Sequence, residues 1–220
     1  MKTVILVRHA EAHKTLEKRH GGQGTRLTAQ GYEDAERVAE RILARGGTIS
    51  PTMVLGSPIQ QVAETATLVG GRLKWPVKID ARLKGIHMGI FDGLTDEETK
   101  IVDKAAAERL EMWRQRKLPV EEIKIPGAEN INEFQQRIAS VLAESLGSAN
   151  TLLISGTRSV GIAVLNILTN GLKLREQGYI RYRLDPGSIS LLTEAQPGSY
   201  QIVEVNSTTH LGRAVEYPDD

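Results

Sequence analysis

The amino-acid sequence predicts an α/β fold in which a mostly parallel central sheet carries helices on both faces. Short apolar runs rich in β-branched residues alternate with longer segments in which apolar residues recur every three to four positions. The first run, residues 3–7, is apolar on both faces, which is typical of a central strand buried between two helical layers. At 220 residues the chain is long enough for one sizeable core, and we expect a single domain over residues 1–220.

The individual elements follow from this alternation in chain order. Strands are predicted at residues 3–7, 52–55, 151–155, 181–184, 189–193 and 201–205, where β-branched and apolar residues cluster. Helices are predicted from residues 29–31 to the Gly46-Gly47 pair, from Ser57-Pro58 through residue 69, and at 131–146 and 160–170. The opening of the chain is therefore expected to run strand, loop, helix, strand, loop, helix.

The pattern changes between residues 82 and 126. This stretch consists of loops rich in glycine and charge, with one charged helix predicted at about residues 95–116. Long loops of this kind in a compact domain are usually functional. We expect a cap-like insertion that covers the sheet and selects the ligand.

Composition excludes several classes of function. The 28 Lys and Arg residues nearly balance 27 Asp and Glu, so no global field attracts nucleic acid or an anionic membrane. The chain has no cysteine, which excludes disulfides, thiolate catalysis and cysteine-ligated metal. No apolar run approaches the roughly 18 residues of a membrane span, and the N-terminal run is too short for a signal peptide. We therefore expect a cytoplasmic protein. We also expect no metal or other cofactor, since the five His residues show no metal-ligand spacing with acidic residues.

The most informative local motif is Arg8-His9, directly after the first strand. Parallel sheets place ligand sites at the carboxyl ends of their strands. At that position a guanidinium can clamp a phosphate and an imidazole can attack phosphorus. Taken alone, the pair is equally compatible with a solvated strand end and a structural histidine.

The rest of the chain resembles the histidine phosphatases and the cofactor-dependent phosphoglycerate mutases in order and spacing. The matching segments are Arg8-His9-Ala10-Glu11, Arg19, Leu27-Thr28-Ala29-Gln30-Gly31, Ser57-Pro58-Ile59 with Glu64-Thr65-Ala66, Gly89-Ile90-Phe91-Asp92-Gly93-Leu94-Thr95, Pro126-Gly127-Ala128-Glu129, and Asn206-Ser207-Thr208-Thr209-His210-Leu211. The resemblance implies that His9 is the nucleophile, Arg8 its neighbouring phosphate clamp, and Arg19 a further contact to phosphate or substrate.

Three other positions depart from the pattern of that family. Gln61 stands where the resemblance implies a second clamping arginine, Gly85 where it implies the proton-donating carboxylate, and Gly156 where it implies a second histidine. Phosphoryl transfer needs fixed cations around the equatorial oxygens and a proton for the leaving oxygen. The sequence therefore predicts a degenerate member with a depleted catalytic site.

Compensation by neighbouring residues stays open. Arg158 lies two residues after Gly156 and His87 two after Gly85, and Asp92 is a further candidate for the missing roles. A solvated Arg158 at a helix start is the simpler interpretation. Among the other histidines, His13 and His20 fall in the loop after the nucleophile, and His210 is expected near the edge of the sheet.

Three functions are compatible with this sequence. In the first, the cleft binds a phosphorylated or other anionic small molecule through Arg8, Arg19, Gln61 and Arg158 with little or no turnover. In the second, it is a slow or repurposed phosphomonoesterase that uses His9. In the third, the cleft is vestigial and the chain is a protein-interaction module, as a possible homo-oligomer or with a protein partner. The sequence leaves open whether the chain is an enzyme.

Overall fold

A computed structural model describes residues 2–45, 53–170 and 179–215 of the chain. Within these residues a six-stranded sheet has the order β3-β2-β4-β1-β5-β6. The strands are β1 (Thr3–Arg8), β2 (Met53–Gly56), β3 (Val77–Ile79), β4 (Thr151–Gly156), β5 (Ile189–Gln196) and β6 (Ser199–Ser207). The first four run parallel to one another, and β5 and β6 add an antiparallel edge. The predicted α/β class with a mostly parallel sheet is confirmed.

Strand β1 lies in the middle of the sheet because both of its faces are apolar. All six of its residues are buried. It pairs in parallel with β4, from Thr3 opposite Thr151 to Arg8 opposite Gly156, and antiparallel with β5 on its other side. Because the carboxyl ends of parallel strands open at one edge, the segments that follow β1, β2 and β4 meet there.

Helices cover both faces of the sheet, as predicted. They are α1 (His13–Leu16), α2 (Ala29–Ala44), α3 (Gln60–Leu73), α4 (Asp96–Val102), α5 (Lys104–Arg114), α6 (Ile131–Ser148) and α7 (Arg158–Thr169). Successive side chains of a strand point to opposite faces. Accordingly Ile5 and Val7 pack with residues of α2 and α3, whereas Val4 and Leu6 pack with residues of α6 and α7. The two buried clusters fix β1 between them and so fix the position of the residues that follow it.

The strand predicted at residues 181–184 is wrong, and β3 was not predicted. Residues 179–184 form no ladder, and the backbone groups of Ile180 and the carbonyl of Leu184 bond to side chains instead. The amide of Asn166 donates to the carbonyl of Ile180 and accepts from its N–H, and Arg8 donates to the carbonyl of Leu184. Position 52, at the start of the predicted second strand, lies outside the described residues, whereas the rest of that strand is β2.

The predicted helix at residues 95–116 is two helices that break at Asp103. This residue is extended, with φ −152° and ψ 94°, and its carboxylate accepts a hydrogen bond of 2.9 Å from the N–H of Ala106 at the start of α5. Side-chain acceptors at a helix N-cap stabilise a new helix start. Helix α7 likewise begins earlier than predicted, at Arg158, because Thr157 caps it.

Residues 82–126 contribute the helices α4 and α5 and single helical turns, but no strand, to the described structure. They bury a small cluster of their own, formed by Phe91, Ala106, Ala107, Leu110 and Ile125. None of the described helices is long and apolar enough to cross a membrane.

Candidate active site

A cleft of about 1040 Å³ lies at the carboxyl edge of the parallel strands. It is lined by most of the residues that the sequence singled out: Arg8, His9, Arg19, Gln61, Gly85, His87, Asp92 and Arg158. Gly156 does not line it directly, but it lies opposite Arg8 in the sheet, and its carbonyl accepts a hydrogen bond of 2.9 Å from the N–H of His9. The structure therefore brings the candidate residues together around one strand end.

His9 is buried, with 5% of its surface exposed, and held in one orientation. Its Nδ1 lies 2.9 Å from the carbonyl oxygen of Ala10. A carbonyl can only accept, so Nδ1 carries the proton and Nε2 keeps its lone pair. Burial, reinforced by the charges of Arg8, Lys14 and Arg158, lowers the pKa of His9 to about 3, against the opposing hydrogen bond with Ala10. The imidazole is thus neutral at physiological pH, as a nucleophile must be.

Arg8 is also buried, and a turn braces the strand end that carries it. Nη1 of its guanidinium donates to the carbonyl of Leu184 at 2.5 Å, and its backbone N–H donates to the carbonyl of Ser188 at 3.1 Å. The N–H of Gly187 in turn lies 3.1 Å from the carbonyls of both Arg8 and His9. Gly187 has φ +72°, a conformation that favours glycine, so this brace depends on a residue without a Cβ.

The side chain of Gln61 anchors the loop between α1 and α2. Its side chain is 4% exposed, and Oε1 accepts a hydrogen bond of 3.0 Å from the N–H of Thr25. A Cβ placed on Gly24 would lie 2.5 Å from the same oxygen, which shows how closely the loop packs on this amide. The neutral side chain is therefore part of a local anchor, and an arginine in its place would lose this acceptor.

At Gly85 and Gly156, neighbouring side chains surround the space that a larger residue would use. A Cβ on Gly85 would lie 3.0 Å from Oγ1 of Thr157 and 3.3 Å from Oγ of Ser159. A Cβ on Gly156 would lie 3.0 Å from Cγ1 of Val160. Both contacts are tight, so a side chain at either position requires its neighbours to shift.

The candidate compensating residues Asp92 and His87 hold the loops together. One carboxylate oxygen of Asp92 accepts hydrogen bonds from the N–H groups of Gly22, at 2.8 Å, and Met88, at 3.0 Å. The other lies 2.9 Å from Nε2 of His87. Because both oxygens are occupied, the geometry favours a structural role for Asp92 over proton donation.

Arg19 and Arg158 differ in what surrounds them. Arg19 lines the cleft, but its guanidinium contacts Glu17 at 2.8 Å and Glu98 at 2.9 Å, so its charge is largely balanced. Arg158 lies at the start of α7, and its charge contributes to the low pKa of His9. Of the two, Arg158 has the greater electrostatic influence on the nucleophile.

The sequence did not reveal how many cations the fold would gather. Nine of the lining residues are Lys or Arg and two, Asp92 and Glu129, are acidic. The cations without a predicted role are Lys14, Lys18, Lys84, Arg114, Arg137 and Arg181. They come from segments far apart in the chain, and no local motif marks them. Although Arg19, Arg114 and Arg137 are paired with carboxylates, basic side chains outnumber acidic ones in the lining, in a protein of net charge +1.

The three remaining histidines take different positions. His20 lines the cleft, and its Nε2 lies 2.9 Å from Oδ1 of Asp96. His13 is exposed and does not line the cleft. His210 contacts the carbonyl of Gly187 at 3.1 Å, beneath the turn that braces Arg8. Among the described residues, no group of three or more His, Asp or Glu is placed to hold a metal ion.

Comparisons with known proteins agree with this geometry. Residues 4–208 match the histidine phosphatase superfamily (branch 1). The protein named "Probable phosphoglycerate mutase GpmB" of Enterobacter sp. (strain 638) is 32% identical over 178 residues, which cover 76% of this chain and 75% of that protein.

Solved structures share the fold at lower identity. A mycobacterial glucosyl-3-phosphoglycerate phosphatase in complex with VO3 superposes with a TM-score of 0.79 at 21% identity, over 94% of this chain and 100% of that one. The alpha-ribazole phosphatase of Shigella flexneri has a TM-score of 0.72 at 20% identity, over 93% and 96% of the two chains.

Proposed function

Because this chain belongs to branch 1 of the histidine phosphatase superfamily, we propose that it binds the phosphoryl group of a phosphorylated small molecule at Arg8 and His9 and turns it over slowly or not at all. The names of its relatives support the ligand class, since they describe a phosphoglycerate mutase and phosphatases of phosphorylated small molecules. Different residues of the cleft support the two parts of the proposal, anion binding and slow turnover.

Anion binding is supported by the charge of the cleft. A phosphate dianion at the strand end would meet Arg8 and the neutral imidazole of His9, with Arg158 and Lys14 close enough to act on that imidazole. Charge-assisted hydrogen bonds from guanidinium groups are the strongest contacts available to phosphate oxygens. Basic side chains outnumber acidic ones in the lining even though Arg19, Arg114 and Arg137 pair with carboxylates, and this excess attracts anions.

Slow turnover is supported by one observation above all: neither carboxylate of the cleft is available as a proton donor. Asp92 accepts hydrogen bonds on both oxygens. For Glu129, burial alone would raise the pKa, but the hydrogen bonds from Arg137 and from the backbone N–H of His87, together with the charges of these two residues, hold the pKa below its ordinary value, so it stays ionised. Losing general-acid assistance typically costs about 10²–10⁴ in rate.

A slow phosphomonoesterase is the second candidate, and the geometry of His9 favours it. Nε2 of His9 can attack phosphorus while the P–O bond to the leaving group breaks, after which water hydrolyses the phosphohistidine. Without a donor, the leaving oxygen departs as an anion. A stable phenolate such as p-nitrophenolate can do so, whereas an alkoxide cannot.

Calorimetric titration with inorganic phosphate and 3-phosphoglycerate tests the binding function. We expect binding at one site in the wild type, and at least about tenfold weaker binding in Arg158→Ala, because a charged hydrogen-bond partner contributes about 1.5–3 kcal/mol. Lys100→Ala removes an exposed cation that does not line the cleft and serves as the matched control.

Hydrolysis of p-nitrophenyl phosphate by the wild type and His9→Ala separates the two candidates. Activity that disappears in His9→Ala supports the slow enzyme. Absence of both binding and turnover would contradict both functions and leave an interaction module with a vestigial cleft.

A further inference from the structure

A second cavity opens from the cleft beside residues 82–126. Its volume is about 320 Å³, within the range of about 300–1,000 Å³ that is typical of small-molecule pockets. Most of its lining is apolar, and we call it the apolar chamber. Six large side chains of this lining carry the argument: Leu110, Trp113, Ile123, Ile125, Phe134 and Ile162. They come from α5, the turn after it, α6 and α7.

The apolar chamber and the cleft are continuous. Ile86, Met88, Trp113, Ala128 and Ile162 line both. A single ligand can therefore occupy the two cavities together. The guanidinium of Arg181 lies 5.5 Å from the centroid of the Trp113 ring, so this ring marks the boundary between the cationic and the apolar region.

The two cavities differ in the charge of their lining. The cleft gathers basic side chains, whereas the charged residues that line the chamber are few. Glu121 and Lys124 are exposed, and Glu129 is paired with Arg137 at 2.7 Å. Burial of apolar ligand surface in such a cavity is favourable in proportion to its area. His87, Asn130, Asn132 and Ser159 also line the chamber, but a charged group would exchange its water there for a mostly apolar lining.

We propose that the ligands of this protein are phosphate monoesters of bulky apolar alcohols, with the phosphoryl group at Arg8 and His9 and the apolar group in the apolar chamber. This rests on the proposed phosphoryl-binding function and adds the class of the esterified alcohol. Residues 82–126, which supply four of the six chamber walls, are then the segment that selects the ligand.

Calorimetric titration with 1-naphthyl phosphate, methyl phosphate and inorganic phosphate tests the proposal. We expect the wild type to bind 1-naphthyl phosphate at least about tenfold tighter than methyl phosphate, because only the larger ester buries apolar area in the chamber. Ile123→Asn introduces an amide at a half-buried wall position and should reduce this ratio below about threefold, with no change in the affinity for inorganic phosphate. Trp113→Phe removes less of the wall and should give an intermediate ratio. This second variant tests the proposal if Ile123→Asn does not fold.

Ile101→Asn is the matched control, since Ile101 is an exposed apolar residue of α4 outside the chamber, and it should keep the wild-type ratio. Equal affinity for the two esters, with inorganic phosphate still bound in an Arg158-dependent manner, would overturn the chamber assignment and leave the proposed function standing. Failure of inorganic phosphate and methyl phosphate to bind would instead overturn the proposed function. Binding of 1-naphthyl phosphate that is unchanged in both Ile123→Asn and Trp113→Phe would also overturn the assignment.

Discussion

Two groups of residues at the cleft differ in their charge and in the contacts that hold them. The attack wall, Arg8 and His9, is buried, braced by the turn before β5 and held in one tautomer. The neutral wall, which is Gln61 and Gly85 of the cleft lining together with Gly156 opposite Arg8 in the sheet, has no charged side chain, and its neighbours lie close against it. Under the proposed function, this difference means that the protein presents a nucleophile and holds an anion, while the departure of a leaving group is unassisted.

Rebuilding the neutral wall should have the largest effect. Gln61→Arg, Gly85→Glu and Gly156→His supply the missing cation, acid and imidazole, and Val160→Ala relieves the 3.0 Å contact at position 156. We expect hydrolysis of an alkyl phosphate to rise at least about 10²-fold, the usual contribution of general-acid catalysis. The control is the same variant with Gly85→Gln in place of Gly85→Glu. Glutamine has the size of glutamic acid but cannot donate a carboxylic proton. An unchanged rate in a variant whose circular dichroism is native would show that the neutral wall is not what limits turnover.

The attack wall should make stability depend on pH. His9 has a pKa of about 3 in the folded protein and about 6.5 when exposed, so between these values the unfolded chain binds more protons. Stability therefore falls as pH decreases from about 6.5 towards 3, and His9 should account for up to a few kcal/mol of the loss. Urea unfolding at a series of pH values should give a shallower dependence for His9→Gln than for the wild type. Parallel curves would mean that His9 is not buried as a neutral group.

A conservative change at Arg8 should weaken binding by an intermediate amount. Arg8→Lys keeps the charge but loses the planar fork that meets two oxygens at once and the hydrogen bond to Leu184. We expect inorganic phosphate to bind about tenfold more weakly, consistent with the loss of one charge-assisted hydrogen bond. Calorimetry measures this directly, with Lys100→Arg as the exposed control. Equal affinity in Arg8→Lys would indicate that phosphate binds elsewhere in the cleft.

The smallest effect is expected at Asp92. In Asp92→Asn the amide oxygen can still accept from Gly22 and Met88, but the side chain can no longer donate a carboxylic proton. If Asp92 is structural, His9-dependent hydrolysis of p-nitrophenyl phosphate should change less than about twofold, whereas loss of a general acid costs about 10² or more. A large fall in rate without a fall in stability would assign the missing acid to Asp92.

Much of the fold could be predicted because apolar periodicity is a local property of the chain. Residues 3–7 and 151–155 are buried on both faces and are strands for that reason. Residues 181–184 form no strand, and the side chains that bond to the backbone in and beside this segment, Asn166 and Arg8, are distant in sequence. The break at Asp103 was a missed local signal, since Asp is a preferred N-cap residue.

The candidate site was predictable only where a motif marks it. Arg8 and His9 follow a buried strand, so their place at its carboxyl end could be inferred. Lys14, Arg114 and Arg181 reach the same cleft from separate segments, and a basic residue carries no local sign of the cavity it will line. The apolar chamber was hidden for the same reason, because its walls belong to three helices and the turn after α5.

Phosphorus-31 NMR of methyl phosphate with stoichiometric protein tests the central claim most directly, because binding and hydrolysis are seen in one sample. We predict a shifted resonance of the bound ester that is weaker with Arg158→Ala, and that persists without conversion to inorganic phosphate over many hours. Conversion at the ordinary enzyme scale of about 1–10³ s⁻¹ would contradict the claim that the neutral wall prevents turnover.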